Sequence, residues 1–157
     1  MRYSALVFLL TLASFASFTA CSKGQIVPDN SNTQNYSKDT MTYKIKIKIG
    51  SNFFTATILN STAATSFKEM LPMTINMVEL NGNEKYFDLP GKIPVNASNP
   101  GFVQTGDLML YGPNTLVLFY ETFSTSYSYT KLGRIDDTSE LSAAIGSGDV
   151  TVTLELL

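Results

Sequence analysis

Isoleucine and lysine alternate strictly near the start of the folded region, and this pattern restricts the fold most strongly. In Tyr43-Lys-Ile-Lys-Ile-Lys-Ile-Gly50, three isoleucines share one face and three lysines share the other. A period of two is typical of a β-strand with one buried face, and exposed lysines discourage aggregation through strand edges. A turn at 50–52 followed by Phe53–Leu59 predicts that this strand is half of a hairpin.

Further strands follow along the chain. They are predicted at Met73–Leu80, Gly106–Tyr111, Thr115–Tyr120, Tyr127–Ile135 and Val150–Leu156. The pattern lacks an internal repeat and a βαβ rhythm. Seven or eight strands in this arrangement predict a mainly β domain, either a closed barrel or a sandwich.

Only two short helices interrupt the strands. The first is predicted at Thr62–Leu71 after a cap at Asn60 or Ser61, and Pro72 ends it. The second is predicted at Glu140–Ile145, with residues 137–139 as its cap and Gly146-Ser147-Gly148 as its stop. Residues 84–105 are rich in proline, glycine and asparagine and are predicted as loops.

The N-terminus has the order of a secretory signal. A basic start, Met1-Arg2-Tyr3, precedes an apolar run from Ala5 to Phe18. A basic segment, a short apolar segment and a small-residue cleavage site define a signal peptide, and the run is shorter than the ~20 residues that a membrane span needs. We therefore predict a signal peptide at residues 1–20.

The end of this segment, Phe18-Thr19-Ala20-Cys21, resembles the bacterial lipobox, with phenylalanine in place of the usual leucine. The resemblance implies a lipid on Cys21, and two or three acyl chains anchor a protein stably. The alternative is an ordinary secretory signal with an incidental cysteine. Cys21 is the only cysteine, so no disulfide can form within the chain, which favours the lipid. The predicted location is the bacterial cell envelope, at the periplasmic face or the cell surface.

Residues 21–40 are polar and aperiodic, which predicts a flexible tether. Within it, Asp39-Thr40-Met41 resembles a bacterial acceptor for O-linked glycans. Residues 41–157 form one domain by length. The chain has 11 basic and 13 acidic residues and no basic cluster beyond the strand lysines, so we expect no nucleic-acid partner.

The composition lacks residues that several classes of enzyme require. The chain has no histidine and no tryptophan, which removes Ser-His-Asp and Cys-His machinery and the main zinc ligand. No phosphate-binding glycine loop appears, and we predict no metal and no cofactor. Pairs of carboxylates remain possible as general acid and base. Asp136-Asp137 is the obvious pair but is most simply a helix cap. Glu84 and Asp88 are interpreted as solvated loop residues, and Asp107 is interpreted as a strand-entry residue.

The segment from Glu121 to Arg134 interleaves aromatic and hydroxyl side chains. Such a surface suits a sugar or a peptide, because aromatic rings stack while hydroxyls orient hydrogen bonds. The alternative is a strand whose tyrosines cover the barrel, with Arg134 paired to Glu121 or Asp136.

An ordered set of short motifs resembles a family of bacterial cyclophilin-like domains. The motifs are the segments 81–86, 106–112, 118–120, 126–130, 132–135 and 148–152. The resemblance covers about residues 43–156 and implies a small closed β-barrel with one or two short helices, in a family of largely unassigned function. Cyclophilin catalysis needs an arginine, a Phe/Met floor, a tryptophan and a histidine. Arg134 is not in a matching context, so no catalytic residue is transferred.

The sequence thus predicts a lipid-anchored envelope protein that binds a small ligand, glycan or peptide without catalysis. The alternatives are a prolyl isomerase acting on exported proteins and a structural subunit of an envelope complex; the oligomeric state stays open. The predicted binding residues are Tyr86, Tyr120, Phe123, Tyr127, Tyr129 and Arg134.

Overall fold

The structure, a computed structural model, describes residues 42–157 of the 157-residue chain. Several predictions fall outside the described residues. They are the signal peptide at residues 1–20, the lipid on Cys21, the tether at residues 21–40 and the glycan on Thr40. No helix in the described part is long and apolar enough to cross a membrane.

Ten strands and two short helices make up residues 42–157. The strands are β1 (Tyr43–Ile49), β2 (Asn52–Ile58), β3 (Met73–Leu80), β4 (Glu84–Asp88), β5 (Phe102–Val103), β6 (Asp107–Tyr111), β7 (Thr115–Phe119), β8 (Phe123–Ser124), β9 (Thr130–Ile135) and β10 (Val150–Leu156). The helices are α1 (Thr62–Lys68) and α2 (Leu141–Ile145).

Eight of these strands close into a barrel in the order β1-β10-β3-β4-β7-β6-β9-β2. Every neighbouring pair is antiparallel. The other two strands, β5 and β8, form a separate two-stranded sheet. The prediction of a mainly β, closed cyclophilin-like barrel with two short helices is confirmed.

The alternation in β1 places its isoleucines inside the barrel. Ile45, Ile47 and Ile49 are fully buried and belong to the main core cluster. The lysines point outward, where Lys46 lies 2.6 Å from Glu155 of the neighbouring strand β10. This pair is exposed, so it contributes at most about 1 kcal/mol; the buried isoleucines hold the strand in register.

Strand β4 was predicted as loop, and that prediction is wrong. It pairs with β3 on one side and with β7 on the other. Its sequence Glu-Lys-Tyr-Phe-Asp conceals the alternation, because an inward position is occupied by Lys85 rather than by an apolar residue. Glu84 is consequently buried rather than solvated.

The ends of β9 and α1 also differ from prediction. Strand β9 begins at Thr130 rather than at Tyr127, and α1 ends at Lys68. The cap of α1 is Ser61, whose Oγ accepts the N–H of Ala64 at 3.2 Å, as one of the predicted alternatives.

The predicted cap of α2 is wrong. The N-cap position is Glu140, which makes no capping side-chain bond. Asp137 instead accepts the N–H of Ser139 at 3.0 Å in the preceding turn. Asp136 pairs with Lys44 at 2.7 Å and accepts the hydroxyl of Thr57 at 2.6 Å, so both carboxylates have structural partners.

A second apolar cluster lies on the outer side of the barrel. It consists of Val103, Met109, Val117, Phe119 and Tyr129, with Tyr86 and Phe123 packed against it. Strands β6 and β7 are therefore buried on both faces, since their inward leucines belong to the main core. The β5–β8 sheet supplies Val103 and Phe123 to this outer cluster.

Candidate functional site

A groove of about 410 Å³ lies against the outer cluster, and we call it the tyrosine groove. Its lining residues are Leu80, Asn81, Glu84, Tyr86, Asp88, Tyr111, Thr115, Val117, Tyr127 and Tyr129. Its volume lies within the range of roughly 300–1,000 Å³ that is usual for small-molecule sites.

Strand β4 contributes three polar side chains to the groove. Successive side chains of a strand point to opposite faces. Lys85 and Phe87 point into the barrel, so Glu84, Tyr86 and Asp88 project outward together. Pairing of Tyr86 with Val117 of β7 places this row directly beside the outer cluster.

Three tyrosine rings that line the groove contact one another and differ in solvent exposure. Tyr129 is 7% exposed and packs edge-on against Phe119, with ring centroids 5.4 Å apart. Tyr111 contacts Tyr129 at 5.8 Å and Tyr127 at 6.0 Å, the latter at an interplanar angle of 90°. Tyr111 and Tyr127 are 47% and 61% exposed. The buried ring thus supports two exposed rings that are free to contact a ligand.

Glu84 is the most unusual charged group in the groove. It is 9% exposed, and within the described part of the chain no side-chain hydrogen bond or ion pair reaches its carboxylate. Burial, and secondarily the charge of Glu79, raise the pKa of Glu84. Burial and the charge of Glu84 also raise the pKa of Tyr129.

The other acidic residue of the groove has a partner. Asp88 is exposed and accepts the hydroxyl of Thr115 at 2.6 Å. No lysine or arginine is among the lining residues, so the groove has acidic and aromatic character.

A separate polar network lies behind β4, inside the barrel. The side chain of Lys85 is fully buried; it pairs with Glu79 and donates to the carbonyl oxygens of Gly146 and Gly148 at 2.9 and 2.6 Å. Its Nζ also lies 5.1 Å from the ring centre of Tyr120. The hydroxyl of Tyr120 donates to both carboxylate oxygens of Glu79, at 2.9 and 3.0 Å.

The pKa values of this network follow from its bonds. Burial acts to raise the pKa of Glu79, but hydrogen bonds from Lys85, Tyr120 and the Gly82 N–H, with the Lys85 charge, lower it overall. Burial and the bond to Glu79 raise the pKa of Tyr120 to about 12. Because all members are mutually satisfied, the network fits a structural role at this end of the barrel.

Three of the predicted binding residues come together in the groove, namely Tyr86, Tyr127 and Tyr129. The other three lie elsewhere. Tyr120 points into the barrel core, and Phe123 packs against Phe119 at 5.8 Å. Arg134 is exposed on β9 and donates to the side-chain oxygen of Gln104, rather than pairing with Glu121 or Asp136. A role of any of the six in binding stays a prediction.

Sequence reasoning missed Tyr111 and Glu84 as groove residues. Tyr111 ends β6 next to the turn and could be recognised only once β6 was placed between β7 and β9.

Asp107, at the start of β6, is buried as a strand-entry residue, with Oδ2 accepting the Gln104 N–H at 2.9 Å.

Comparisons with known proteins agree with this architecture. Residues 47–155 match the Cyclophilin-like family, and no curated protein sequence matches the chain. The solution structure of the hypothetical protein AF2241 from Archaeoglobus fulgidus is similar, with a TM-score of 0.57 and 15% identity over 77% of this chain and 99% of that one. The likeness to AF2241 supports the fold alone. The family match spans most of the barrel, and the chain therefore belongs to the cyclophilin-like family.

Proposed function

We propose that this protein is a lipid-anchored bacterial envelope protein whose barrel binds a small ligand, glycan or peptide non-catalytically in the tyrosine groove. The observation that carries the proposal is the pair of exposed rings, Tyr111 and Tyr127, supported by the buried Tyr129. Exposed aromatics on a rigid base bind with little loss of conformational entropy.

The polar residues suit recognition better than hydrolysis. Glu84 and Asp88 lie four residues apart on one strand, so their Cα atoms are about 13 Å apart. Their side chains stand parallel on one face, whereas the paired carboxyl groups of glycoside hydrolases converge to about 5–9.5 Å across the scissile bond. The arrangement supports positioning of a ligand along the strand.

Prolyl isomerisation remains the alternative activity. A cyclophilin-type pocket uses an arginine, but Arg134 is not among the groove residues, and the chain has no histidine or tryptophan. A protease-coupled proline isomerisation assay decides between the two: acceleration that Tyr127→Ala abolishes would replace the binding proposal.

The proposed anchor supports a role outside the cytoplasm. The signal-like segment and Cys21 would hold the barrel at a membrane surface on the predicted tether. A binder held in this way gains effective concentration for ligands displayed nearby.

Binding can be tested on residues 41–157. The apolar residues of the main core all lie between Tyr43 and Leu154, and the barrel strands close on one another. The domain, labelled at its tyrosine rings, is titrated with lactose, a neutral alanine tetrapeptide and Nα-acetyl-lysine methylamide. We expect at least one probe to shift the Tyr127 and Tyr129 ring resonances saturably.

The matched variants are Tyr127→Ala in the groove and Phe53→Ala outside it, since the two side chains are 61% and 62% exposed. Binding should weaken in the first variant and stay unchanged in the second. Titrations that leave the groove resonances unmoved by all three probes would refute the proposed function.

A further inference from the structure

Glu84 is a largely buried charged residue whose carboxylate receives no side-chain hydrogen bond or ion pair from the described part of the chain. It is 9% exposed and lines the tyrosine groove. A buried carboxylate is normally paired or hydrogen-bonded, because leaving it alone carries a large desolvation cost. Glu79, on the neighbouring strand, illustrates the usual arrangement, since it has both Lys85 and Tyr120 as partners.

Glu84 lines the same groove as the tyrosines. Glu84 and Tyr86 project from the same face of β4, and Tyr111, Tyr127 and Tyr129 line the same groove. Burial, and secondarily the charge of Glu84, raise the pKa of Tyr129, which is consistent with the closeness of the two side chains. A ligand in the groove that contacts the Glu84 carboxylate is therefore within reach of aromatic surface.

The charges of the lining are all of one sign. Glu84 and Asp88 are acidic, and the lining residues include no lysine or arginine. The π faces of tyrosine rings attract cations, and the attraction grows when water is excluded. A carboxylate that has no side-chain partner among residues 42–157 and shares a groove with aromatic rings is thus complementary to a cation with an apolar stem.

Building on the proposed function, we propose that the tyrosine groove is selective for an aliphatic organic cation of the kind carried by a lysine side chain. The ammonium group donates to Glu84, and its methylene stem lies against the rings of Tyr127 and Tyr129. Asp88, at the far end of the same row, adds long-range attraction.

A neutral glycan is the competing ligand for such a groove. It would use the rings equally well, but its hydroxyls would meet Glu84 without neutralising its charge. Charge-assisted hydrogen bonds are roughly twice as strong as neutral ones. The cation therefore gains more from this particular carboxylate than a sugar does.

The test compares Nα-acetyl-lysine methylamide with its Nε-acetylated analogue, which has the same stem and no charge, by ring-resonance titration of residues 41–157. We expect the charged probe to bind at least about tenfold more tightly than the neutral one. Glu84→Gln should weaken the charged probe by about tenfold, while the control Glu69→Gln, at the exposed end of α1, should change nothing.

Folding of the variant is monitored by thermal denaturation. Because Glu84 has no partner among residues 42–157, Glu84→Gln should keep or raise the melting temperature, so a loss of binding is not a loss of structure. Equal affinity for the two probes, or binding of the cation unchanged by Glu84→Gln, would overturn the cation proposal. In that case lactose or tetrapeptide binding at Tyr127 would still support the proposed function, whereas no binding by any probe would refute both.

Discussion

Replacing Lys85 by methionine should reveal how much the network behind β4 stabilises the barrel. The change keeps the length of the side chain but removes its charge and donors. Glu79 loses its ion pair, and the carbonyl oxygens of Gly146 and Gly148 lose a donor at 2.9 and 2.6 Å. The side chain of Lys85 is fully buried and that of Glu79 is 21% exposed, so solvent can replace little of what is removed.

The expected loss in the free energy of unfolding is about 3–5 kcal/mol, the usual result of removing one member of a buried ion pair. A domain of this size has a total stability of only about 5–15 kcal/mol. Urea denaturation of residues 41–157 should therefore show a large fall in midpoint with little change in slope.

Lys92→Met is the matched control, because Lys92 is exposed and its loss should stay within about 0.5 kcal/mol. The double variant Glu79→Gln/Lys85→Met should lose less than the sum of the single losses, with a coupling of about 0.5–3 kcal/mol. A loss below about 1 kcal/mol for Lys85→Met, the size of one ordinary hydrogen bond, would refute this account of the network.

Three further predictions follow from single residues. The folded-state pKa of Glu79 is lowered below its ordinary value of 4.5. Its contribution to stability is therefore present above pH 4.5 and is lost as pH falls through the lower folded-state pKa. Glu79→Gln should flatten the acid limb of a stability–pH curve, and an unchanged limb would contradict this. Gly133→Ala should destabilise by at least about 2 kcal/mol, because a Cβ there would lie 2.5 Å from the carbonyl oxygen of Thr57; Gly148→Ala, which meets nothing within 4 Å, is the control in the same melting experiment. Cys21→Ser should move the protein from the membrane fraction to the soluble fraction, and detergent-dependent partitioning that persists in the variant would refute the proposed lipid.

The sequence predicted the strands whose burial follows a simple rule. In β1 and β10, apolar residues occupy every inward position, so the period of two is visible without a structure. The hairpin of β6 and β7 was also predicted, because a Gly-Pro-Asn turn separates two apolar segments. In these places local chemistry and tertiary packing favour the same conformation.

Strand β4 shows where such reasoning fails. The desolvation cost of its inward Lys85 is offset by Glu79 on β3 and by the carbonyl oxygens of Gly146 and Gly148 in the turn after α2. The two glycines are far from Lys85 in the chain. Its outward Glu84 is buried by the outer cluster and the groove. Local polarity indicated a solvated loop, whereas pairing with two strands overrode that preference.

The sequence by itself predicted a mainly β domain, which is confirmed, and an export signal at the N-terminus, which stays a prediction; both rest on periodicity and segment order, which are properties of neighbouring residues. Only the tertiary structure decided which aromatics share a surface. Tyr120 and Tyr129 are nine residues apart on similar segments, yet one points into the barrel and the other supports the groove. Side-chain direction depends on register, and barrel closure sets the register through contacts between residues distant in sequence. The same closure leaves Glu84 largely buried, with no side-chain partner among residues 42–157, and this is the basis for proposing a cation as the ligand of the tyrosine groove.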